Sequence, residues 1–482
     1  MLERQPTHLR RFLLRTSVLE RLSGPLCDAV LEAQGSAEVL EELERSNLFL
    51  VPLEDHRRWY RYHHLFAQLL RQELGAREAA LVPVLHRRAA AWHQAAGQVG
   101  QAIGHATAAG EFAQAGALII GHWVQERRAT VARWLQALPE EAVLADPSLA
   151  FVAAWTDGFS GAPKQQVDRW LAAVEDPAWE GALPDAISSL AFGAALARAA
   201  LVFDDVGGAV RAARRALELA GTRPSRSRWM AQAALGQALY LRGQPAQARP
   251  PLEEVVQQLL PAAQPHAFVT ALAILSLLAD VEDDDRNATV LARRATEVAE
   301  AYGLGAEPLS GIVHLALGRA LAPLGQLTKA ETELRWALER FQIESMAIFR
   351  APTLLLLASV QRDHGDLPGA RSLLDQARAL IEALADPGAM PALLERAQQE
   401  LNRTQPGGPQ LMAPLTEREL AVLRLLPTRL SASEIGRELS VSVNTVRSQI
   451  QAIYRKLQVS TRTDAVDHAR RLGLLTGTPS GP

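Results

Sequence analysis

The sequence predicts a mainly α-helical protein that contains one short β-hairpin near its N-terminus. Alanine and leucine dominate the 482 residues while aromatic residues make up only 5%, a composition that favours helices over strands. Helix-ending turns recur roughly every 40 residues in the second half of the chain, the spacing of a helical repeat. The C-terminal end divides into four short segments in which apolar residues follow helical spacing. These three observations indicate a multidomain chain built almost entirely from helices.

Charge is distributed unevenly along the chain. The formal net charge is −3, whereas residues 414–482 carry ten Arg or Lys against six Asp or Glu. A basic terminal module on an acidic body favours local contact with a nucleic acid. Cys27 is the single cysteine, which excludes an internal disulfide and a cysteine-based zinc site and suggests a buried apolar role. Because the chain shows neither a signal peptide nor a membrane-spanning apolar run, the sequence predicts a cytoplasmic protein.

The N-terminal segment, residues 1–76, predicts short helices followed by a β-hairpin. Two apolar and aromatic runs, 47–53 and 59–62, flank a polar turn, and a helix is expected from about residue 63 to 74. Helices followed by a hairpin match the plan of a winged-helix domain. The runs FLLRTSVL, RSNLFLVPL and WYRYHHLF resemble the winged-helix domain of MalT-like large LuxR-family regulators.

In that family the winged-helix domain follows a nucleotide-binding STAND domain. The resemblance implies that His63, at the helix start, is a vestigial nucleotide sensor, and packing at the hairpin–helix corner is the alternative. The lysines are Lys164, Lys329 and Lys456, and none lies in the phosphate-binding pattern Gly-x-x-x-x-Gly-Lys-[Ser/Thr]. The sequence therefore predicts the family plan without its ATPase domain and without a cofactor, unless a second polypeptide supplies the nucleotide.

Residues 77–202 predict a helical connector, and residues 203–402 predict helical repeats. The repeat turns follow one another at spacings of 39, 41, 41 and 40 residues. They are expected at Asp204, Gly243, Asp284, Gly325 and Gly365. Five residues after each turn stands a small residue or threonine, which lets the next helix pack closely: Ala209, Ala248, Thr289, Ala330 and Ala370. The steps Leu235-Gly-Gln-Ala-Leu-Tyr240 and Leu317-Gly-Arg-Ala-Leu321 resemble tetratricopeptide repeats, which implies a tetratricopeptide-like α-solenoid with longer helices.

A solenoid offers an extended surface, so the repeats are expected to bind an unknown effector, a partner protein or another subunit. A spacer role is the plainer alternative. Five tryptophans precede the regular repeats and predict either core packing or the lining of a ligand groove: Trp123, Trp134, Trp155, Trp170 and Trp179. Glycine and proline in residues 403–412 predict a linker, and residues 476–482 predict a disordered tail.

Residues 413–475, the C-terminal domain, predict four short helices with a start signal each. Thr416 and Ser431 each stand three residues before a glutamate, the pattern of a capping box, and Ser442 and Thr461 are expected N-caps of the third and fourth helices. Along the third helix one apolar stripe follows steps of four, three and four residues: Val446, Ile450, Ile453 and Leu457. The stripe is expected to pack on a facing core of Leu420, Leu423, Ile435 and Leu439.

The opposite side of the third helix, residues 442–457, is polar and free of acidic residues. Arginine can pair with guanine through two hydrogen bonds, asparagine and glutamine can pair with adenine, and the helix start suits a phosphate. A solvated helix face is the plainer alternative. The predicted DNA-binding residues are Ser442, Asn444, Thr445, Arg447, Ser448, Gln449, Gln451 and Arg455.

The motifs Ser431-x-x-Glu-Ile435, Val441-Ser-x-Asn-Thr-Val-Arg447, Ile453-Tyr-Arg-Lys-Leu457 and Arg462-Thr-x-Ala465 resemble the LuxR-type helix-turn-helix domain. The resemblance implies that the third helix reads double-stranded DNA and that two copies pair through the fourth helix, residues 461–472. RNA polymerase is a further candidate partner. Arg429 stands where many members of the family have glycine, so the turn after the first helix must close differently.

No catalytic constellation or metal-ligand spacing is evident in the sequence, which predicts a protein that is not an enzyme and holds no metal. The sequence therefore predicts a DNA-binding transcriptional regulator. Two alternatives remain open at this point: a tetratricopeptide-like interaction scaffold, and one half of a split ATP-dependent STAND regulator.

Overall fold

The computed structural model describes residues 5–46, 50–53, 59–174, 187–281, 284–308, 310–343, 346–404, 415–428 and 430–457, together with 459, 461–462, 465–466, 469 and 474–475. The chain falls into two units. The first comprises residues 1–357 and 376–391, and the second comprises residues 358–375 and 392–482. No helix within the described ranges is long and apolar enough to cross a membrane.

The N-terminal part of the first unit consists of short helices and the expected hairpin. Its elements are α1 (Thr7–Thr16), α2 (Gly24–Leu31), α3 (Ser36–Arg45), β1 (Leu50–Pro52), β2 (Tyr60–Tyr62) and α4 (His64–Glu78). The strands are antiparallel with Val51 opposite Arg61, and Leu22 bridges to Tyr60 on the far side of β2. The two predicted strands and the helix after them, which make up the winged-helix plan, are thus confirmed. The predicted turn at 54–58 lies outside the described residues.

Burial of apolar side chains from all of these elements holds the N-terminal part together. Cys27 is fully buried among them, as its apolar role predicts, and this burial raises the pKa of its thiol. The hydroxyl groups of Thr16 and Tyr62 lie 2.7 Å apart inside the core, so the hairpin is hydrogen-bonded to α1 as well as packed on it. A buried hydroxyl without such a partner would be costly.

In the described part of the chain, eight α-helices follow before the first predicted repeat turn. They are α5 (Val82–Ala95), α6 (Val99–Ala108), α7 (Phe112–His122), α8 (Arg128–Gln136), α9 (Glu140–Leu144), α10 (Pro147–Gly158), α11 (Lys164–Val174) and α12 (Leu190–Ala200). The tryptophans of this region that the structure describes favour core packing. Trp123 and Trp155 meet edge to face at 6.5 Å, and Trp170 is buried with its indole N–H donating to Asp157 at 2.9 Å. Trp179 lies outside the described residues.

The repeats are built from pairs of successive α-helices. The helices are α13 (Val206–Ala220), α14 (Arg226–Leu241), α15 (Pro245–Gln258), α16 (Pro265–Val281), α17 (Asp285–Ala301), α18 (Ser310–Leu321), α19 (Leu327–Arg340), α20 (Ala347–Asp363), α21 (Leu367–Glu382) and α22 (Met390–Thr404). Within the first unit each of α13 to α19 contacts its neighbours in sequence, and α14, α16 and α18 also contact one another in turn. This is the expected tetratricopeptide-like stacking.

A buried small residue in the first turn of the first helix marks each repeat. These residues are Ala209, Ala248, Ala288, Ala330 and Ala370. The prediction was wrong by one position in the third repeat, because Thr289 is only half-buried and Ala288 takes its place. The reason is that Asp284 is itself the N-cap of α17, whereas Gly243 and Gly325 precede the N-caps of α15 and α19 by one residue.

The two Leu-Gly steps mark the places where paired helices approach most closely. A Cβ atom on Gly236 would lie 2.3 Å from Cγ of Leu252, and a Cβ on Gly318 would lie 2.7 Å from Cγ of Leu334. Leu252 and Leu334 are fully buried on α15 and α19. Glycine is required at these positions because no larger side chain leaves room for the leucine of the partner helix.

The C-terminal domain lies in the second unit. Its named helices are α23 (Glu417–Leu425), α24 (Ala432–Glu438) and α25 (Val443–Leu457). The predicted fourth helix, 461–472, lies largely outside the described residues; of its described positions Ala465, Val466 and Ala469 are buried in the same core as α23 to α25. The predicted N-caps Thr416, Ser431 and Ser442 each accept the expected hydrogen bond from a backbone N–H three residues later.

Candidate nucleic-acid interface

A tight turn places α25 directly after α24. Ser440 adopts a left-handed φ of 55°, and the N–H of Val441 donates to the carbonyl of Gly436 at 2.9 Å. A Cβ on Gly436 would lie 2.9 Å from the carbonyl oxygen of Val441, so the close approach of the two helices depends on glycine there. The chain then enters α25 through Ser442, whose hydroxyl caps the helix. This arrangement of two helices is a helix-turn-helix.

The apolar stripe of α25 anchors the helix to the rest of the domain. Val446, Ile453 and Leu457 are buried, and Ile450 packs beside them. Of the expected facing residues, Leu423 and Ile435 are fully buried and Leu420 and Leu439 pack against the same cluster. The predicted stripe is therefore confirmed, and it fixes which side of α25 faces solvent.

The solvent side of α25 carries most of the predicted DNA-binding residues. Ser442, Asn444, Thr445, Arg447, Ser448, Gln451 and Arg455 are exposed, and Gln449 is half-buried. No carboxylate occurs between residues 442 and 457, so nothing on the helix itself would repel a phosphate. The exposed set offers two guanidinium groups and two amides, the groups that read base edges in a major groove.

The start of α25 leaves one hydroxyl proton available for a phosphate. The hydroxyl oxygen of Ser442 accepts the N–H of Thr445 at 3.2 Å and lies 2.8 Å from the hydroxyl of Thr445. If Thr445 donates in the second contact, both lone pairs of Ser442 are used and its own proton points outward. The first-turn N–H groups of the helix add the partial positive charge that favours anions.

Two acidic residues of the domain, Glu419 and Glu434, are engaged away from the exposed face of α25. The carboxylate of Glu419, only 7% exposed, accepts the backbone N–H of Thr416 and the ammonium of Lys456, each at 2.7 Å. Burial raises the pKa of Glu419, but the hydrogen bonds from Lys456 and Thr416 outweigh it and lower the pKa overall. Glu434 is held in the second capping box, where the hydroxyl and N–H of Ser431 lower its pKa.

Two contacts that sequence reasoning missed fasten α25 and the turn after α23. The ion pair between Lys456 and Glu419 connects the end of α25 to the start of α23. Arg462 donates to the carbonyls of Leu426 and Thr428, each at 2.9 Å, and so caps the C-terminal end of α23. An arginine from later in the chain therefore closes this turn where glycine is usual, although Arg429 itself lies outside the described residues.

His63 lies at the corner where β2 leads into α4. Its ring and that of His64 are exposed, with centroids 4.4 Å apart, so neither ring is packed into the corner. The nucleotide-sensor role of His63 stays a prediction. Among the described residues, neither Lys164 nor Lys329 follows a strand, and no group of His, Cys, Asp or Glu is arranged to hold a metal ion.

Comparison with protein families gives a match at each end of the chain. Residues 1–82 match the MalT winged helix domain, and residues 413–469 match the bacterial regulatory proteins of the luxR family. The chain combines a MalT winged helix domain with a luxR-family helix-turn-helix domain. The luxR-family match spans α23, α24 and α25, the helices that form the interface described above.

Curated relatives match different lengths of this chain. The HTH-type transcriptional regulator MalT of Yersinia pestis is 27% identical over 388 residues, which cover 79% of this chain and 42% of that regulator. The chain thus matches less than half the length of its MalT relatives. The serine/threonine-protein kinase PknK of Mycobacterium tuberculosis is 36% identical over 153 residues, covering 31% of this chain and 14% of the kinase.

Among solved structures, a signal transduction ATPase with numerous domains and a tetratricopeptide repeat sensor, from Pyrococcus horikoshii, resembles this chain. The alignment has a TM-score of 0.49 and 13% identity, and it covers 83% of this MalT-like chain and 64% of the archaeal one.

Proposed function

We propose that this chain is a sequence-specific DNA-binding transcriptional regulator that is not an enzyme, with α25 lying in the major groove. The observation that carries the proposal is the exposed, acid-free face of α25 on a helix-turn-helix whose opposite face is buried. A helix presented in this way matches the groove in width, and its N-terminal residues reach base edges. Ser442 and Thr445 contact a phosphate, while Asn444, Arg447, Ser448, Gln451 and Arg455 face bases or the flanking backbone.

Two copies of the domain dock on neighbouring half-sites about one helical turn of DNA apart. Pairing through residues 461–472 supplies the two-fold symmetry that such a site requires. Because contacts to phosphates release counterions, the affinity for any duplex falls steeply with salt concentration. The half-buried Gln449 contributes less than the fully exposed residues of the face.

Replacing Arg447 with alanine is expected to weaken binding of the full chain to its selected duplex by roughly 1–3 kcal/mol and to relax base preference at one position. Arg418→Ala is the matched control, because it removes the same charge from an exposed position on α23, outside the proposed face. Fluorescence anisotropy on duplexes selected from a random pool measures the affinity and the base preference of both variants. Equal affinities for the two variants, or no duplex selected at low salt, would refute the proposal.

The repeats bind the effector or partner that regulates this activity. They carry a groove of about 380 Å³ between α17, α18 and α19, lined among others by Arg293, Thr296, Leu317, Lys329 and Glu333. Two cations, two carboxylates (Glu297 and Glu333) and an apolar floor line the groove, which favours an amphipathic ligand that carries polar or charged groups of both signs.

Lys329→Glu is therefore expected to abolish the response of a reporter gene to its inducing condition while the DNA affinity stays unchanged. Arg286→Glu is the control, because Arg286 is exposed on α17 outside the groove. An identical reporter response in both variants and the wild type would remove the groove as the effector site.

A further inference from the structure

A short segment after α21, residues 384–389, lies against the first repeat; we call it the strap. The N–H of Asp386 donates to the carbonyl of Asp204 at 2.8 Å, and the carbonyl of Asp386 accepts the N–H of Val206 at 3.0 Å. Farther along, the N–H of Ala389 donates to the carbonyl of Leu241 at 3.1 Å. The strap therefore makes backbone hydrogen bonds to the turns at both ends of the helix pair α13 and α14.

The carboxylate of Asp386 is the centre of the contact. One oxygen accepts the N–H of Gly207 at 3.0 Å and the guanidinium of Arg242 at 2.5 Å, and the other accepts the N–H of Gly388 at 3.0 Å. The N–H of Gly388 contributes most to lowering the pKa of Asp386; burial opposes the shift, and Arg242 and Gly207 add to it. Gly207 and Asp386 are 179 residues apart in sequence, so the contact joins distant parts of the array.

Glycines in the strap and in the turns of the first repeat allow the two backbones to approach each other closely. A Cβ on Gly207 would lie 2.6 Å from the carboxylate of Asp386, and a Cβ on Gly388 would lie 2.5 Å from the carbonyl oxygen of Leu241. Gly243 adopts φ +77°, and a Cβ there would lie 2.8 Å from the Cβ of Ala389. At the equivalent turn two repeats later, Gly325 adopts a similar φ of +71° but has nothing within 4 Å of its Cβ position.

The strap is held by polar contacts that water can reach. None of residues 382–389 is buried, and the side chains of Arg242 and Asp386 are 43% and 34% exposed. Ion pairs this exposed contribute little to stability, and segments held by few buried apolar contacts open before the core does. The repeats beneath are different, since each has a fully buried apolar interface. The strap can therefore detach while the repeats stay folded.

We propose that the strap is a latch, which opens and closes on an intact repeat array and, when closed, holds the start of α22 against the first repeat. Met390, the first residue of α22, directly follows Ala389, and α22 is the last named helix before the C-terminal domain. A ligand that binds the closed arrangement of the strap more tightly than the open one shifts the latch toward closure.

The test compares Gly243→Ala with Gly325→Ala in the full chain by amide hydrogen exchange followed by mass spectrometry. Both variants place alanine at a positive φ, so their backbone strain is matched, but only the first collides with the strap. The amides of Asp386 and Ala389 are expected to exchange at least tenfold faster in Gly243→Ala than in Gly325→Ala, with α16 to α18 equally protected in both. Equal exchange of the strap in the two variants would overturn the proposal.

The wild-type chain supplies a second measurement that requires no glycine substitution. Strap amides are expected to exchange at least tenfold faster than the amides in the middle of α14, because the latch opens without unfolding the repeat. Exchange of both at the same rate would mean that the strap opens only with the whole array. Asp386→Asn should accelerate strap exchange at least as much as Arg242→Gln, because its carboxylate also accepts the N–H groups of Gly207 and Gly388, and combining the two substitutions should accelerate exchange no further than Asp386→Asn alone. Additive effects would exclude a latch centred on that pair.

Discussion

Replacing Lys456 with methionine is expected to destabilise the C-terminal domain by about 3 kcal/mol, because it leaves the Glu419 carboxylate buried without its cation. The two side chains are 17% and 10% exposed, and their charged atoms lie 2.7 Å apart. Methionine keeps the length and apolar stem of lysine, so the loss of stability measures the contribution of the lysine charge. Amide exchange of α23 and α25 in the full chain should accelerate about a hundredfold, and DNA binding should weaken with it.

The double variant Lys456→Met with Glu419→Gln distinguishes the ion pair from packing. Glutamine keeps an oxygen that can accept the N–H of Thr416, so the capping box survives. Because the double variant has no buried charge, it is expected to regain most of the amide protection that Lys456→Met alone loses. A double variant that is as unstable as the sum of the two single ones would show that the pair is not the cause.

Lowering the pH from about 7.5 to about 5 is expected to destabilise the packing of α5 against α6 through three neighbouring histidines. Nδ1 atoms of His86 and His105 lie 2.9 Å apart, and the rings of His93 and His105 stack at 5.3 Å. Burial lowers the pKa of all three, aided by Arg71 at His86 and opposed by Gln98 at His93. Burial, with His86 and His93, lowers the pKa of His105 to about 3.

The direction of this pH effect follows from which state of the chain, folded or unfolded, takes up a proton. At pH values above 6.5, the pKa of His105 in the unfolded chain, this residue is neutral in both the folded and the unfolded chain. Its contribution to the free energy of unfolding therefore does not change with pH in that range. Between 6.5 and about 3 only the unfolded chain is protonated, so stability falls as the pH is lowered. At about pH 5 the loss from His105 alone is about 2 kcal/mol.

Amide hydrogen exchange of α5 and α6 in the full chain, compared at the two pH values after correction for intrinsic exchange rates, measures this loss. His105→Leu should remove most of the pH dependence, whereas His64→Ala, at an exposed position on α4, should leave it intact. Equal pH dependence in wild type and His105→Leu would contradict the assignment to this cluster.

Features set by neighbours in sequence could be predicted without coordinates. The capping boxes at Thr416 and Ser431, the stripe from Val446 to Leu457 and the hairpin strands depend on spacing within a few residues, and the structure has them where they were expected. The error at Thr289 is also local, because a one-residue offset between a turn and an N-cap leaves no trace in a pattern of small residues.

Contacts between distant residues could not be predicted in this way. Lys456 and Glu419 are 37 positions apart, and each alone is an ordinary surface residue type. His86 and His105 lie on α5 and α6, where only the crossing of the two helices brings their rings together. The contacts of Asp386 depend on how the whole array winds, which no single repeat encodes.

The long separation between Asp386 and Gly207 also bears on how the chain is made. At a synthesis rate of roughly 5–20 residues per second, the first repeat leaves the ribosome about 10–35 s before its distant partner does. Repeats fold from neighbour contacts, so α13 and α14 can form during that interval with their outer turns still unpaired. A nascent chain is then open to chaperones or to other chains at these turns until the strap has left the ribosome.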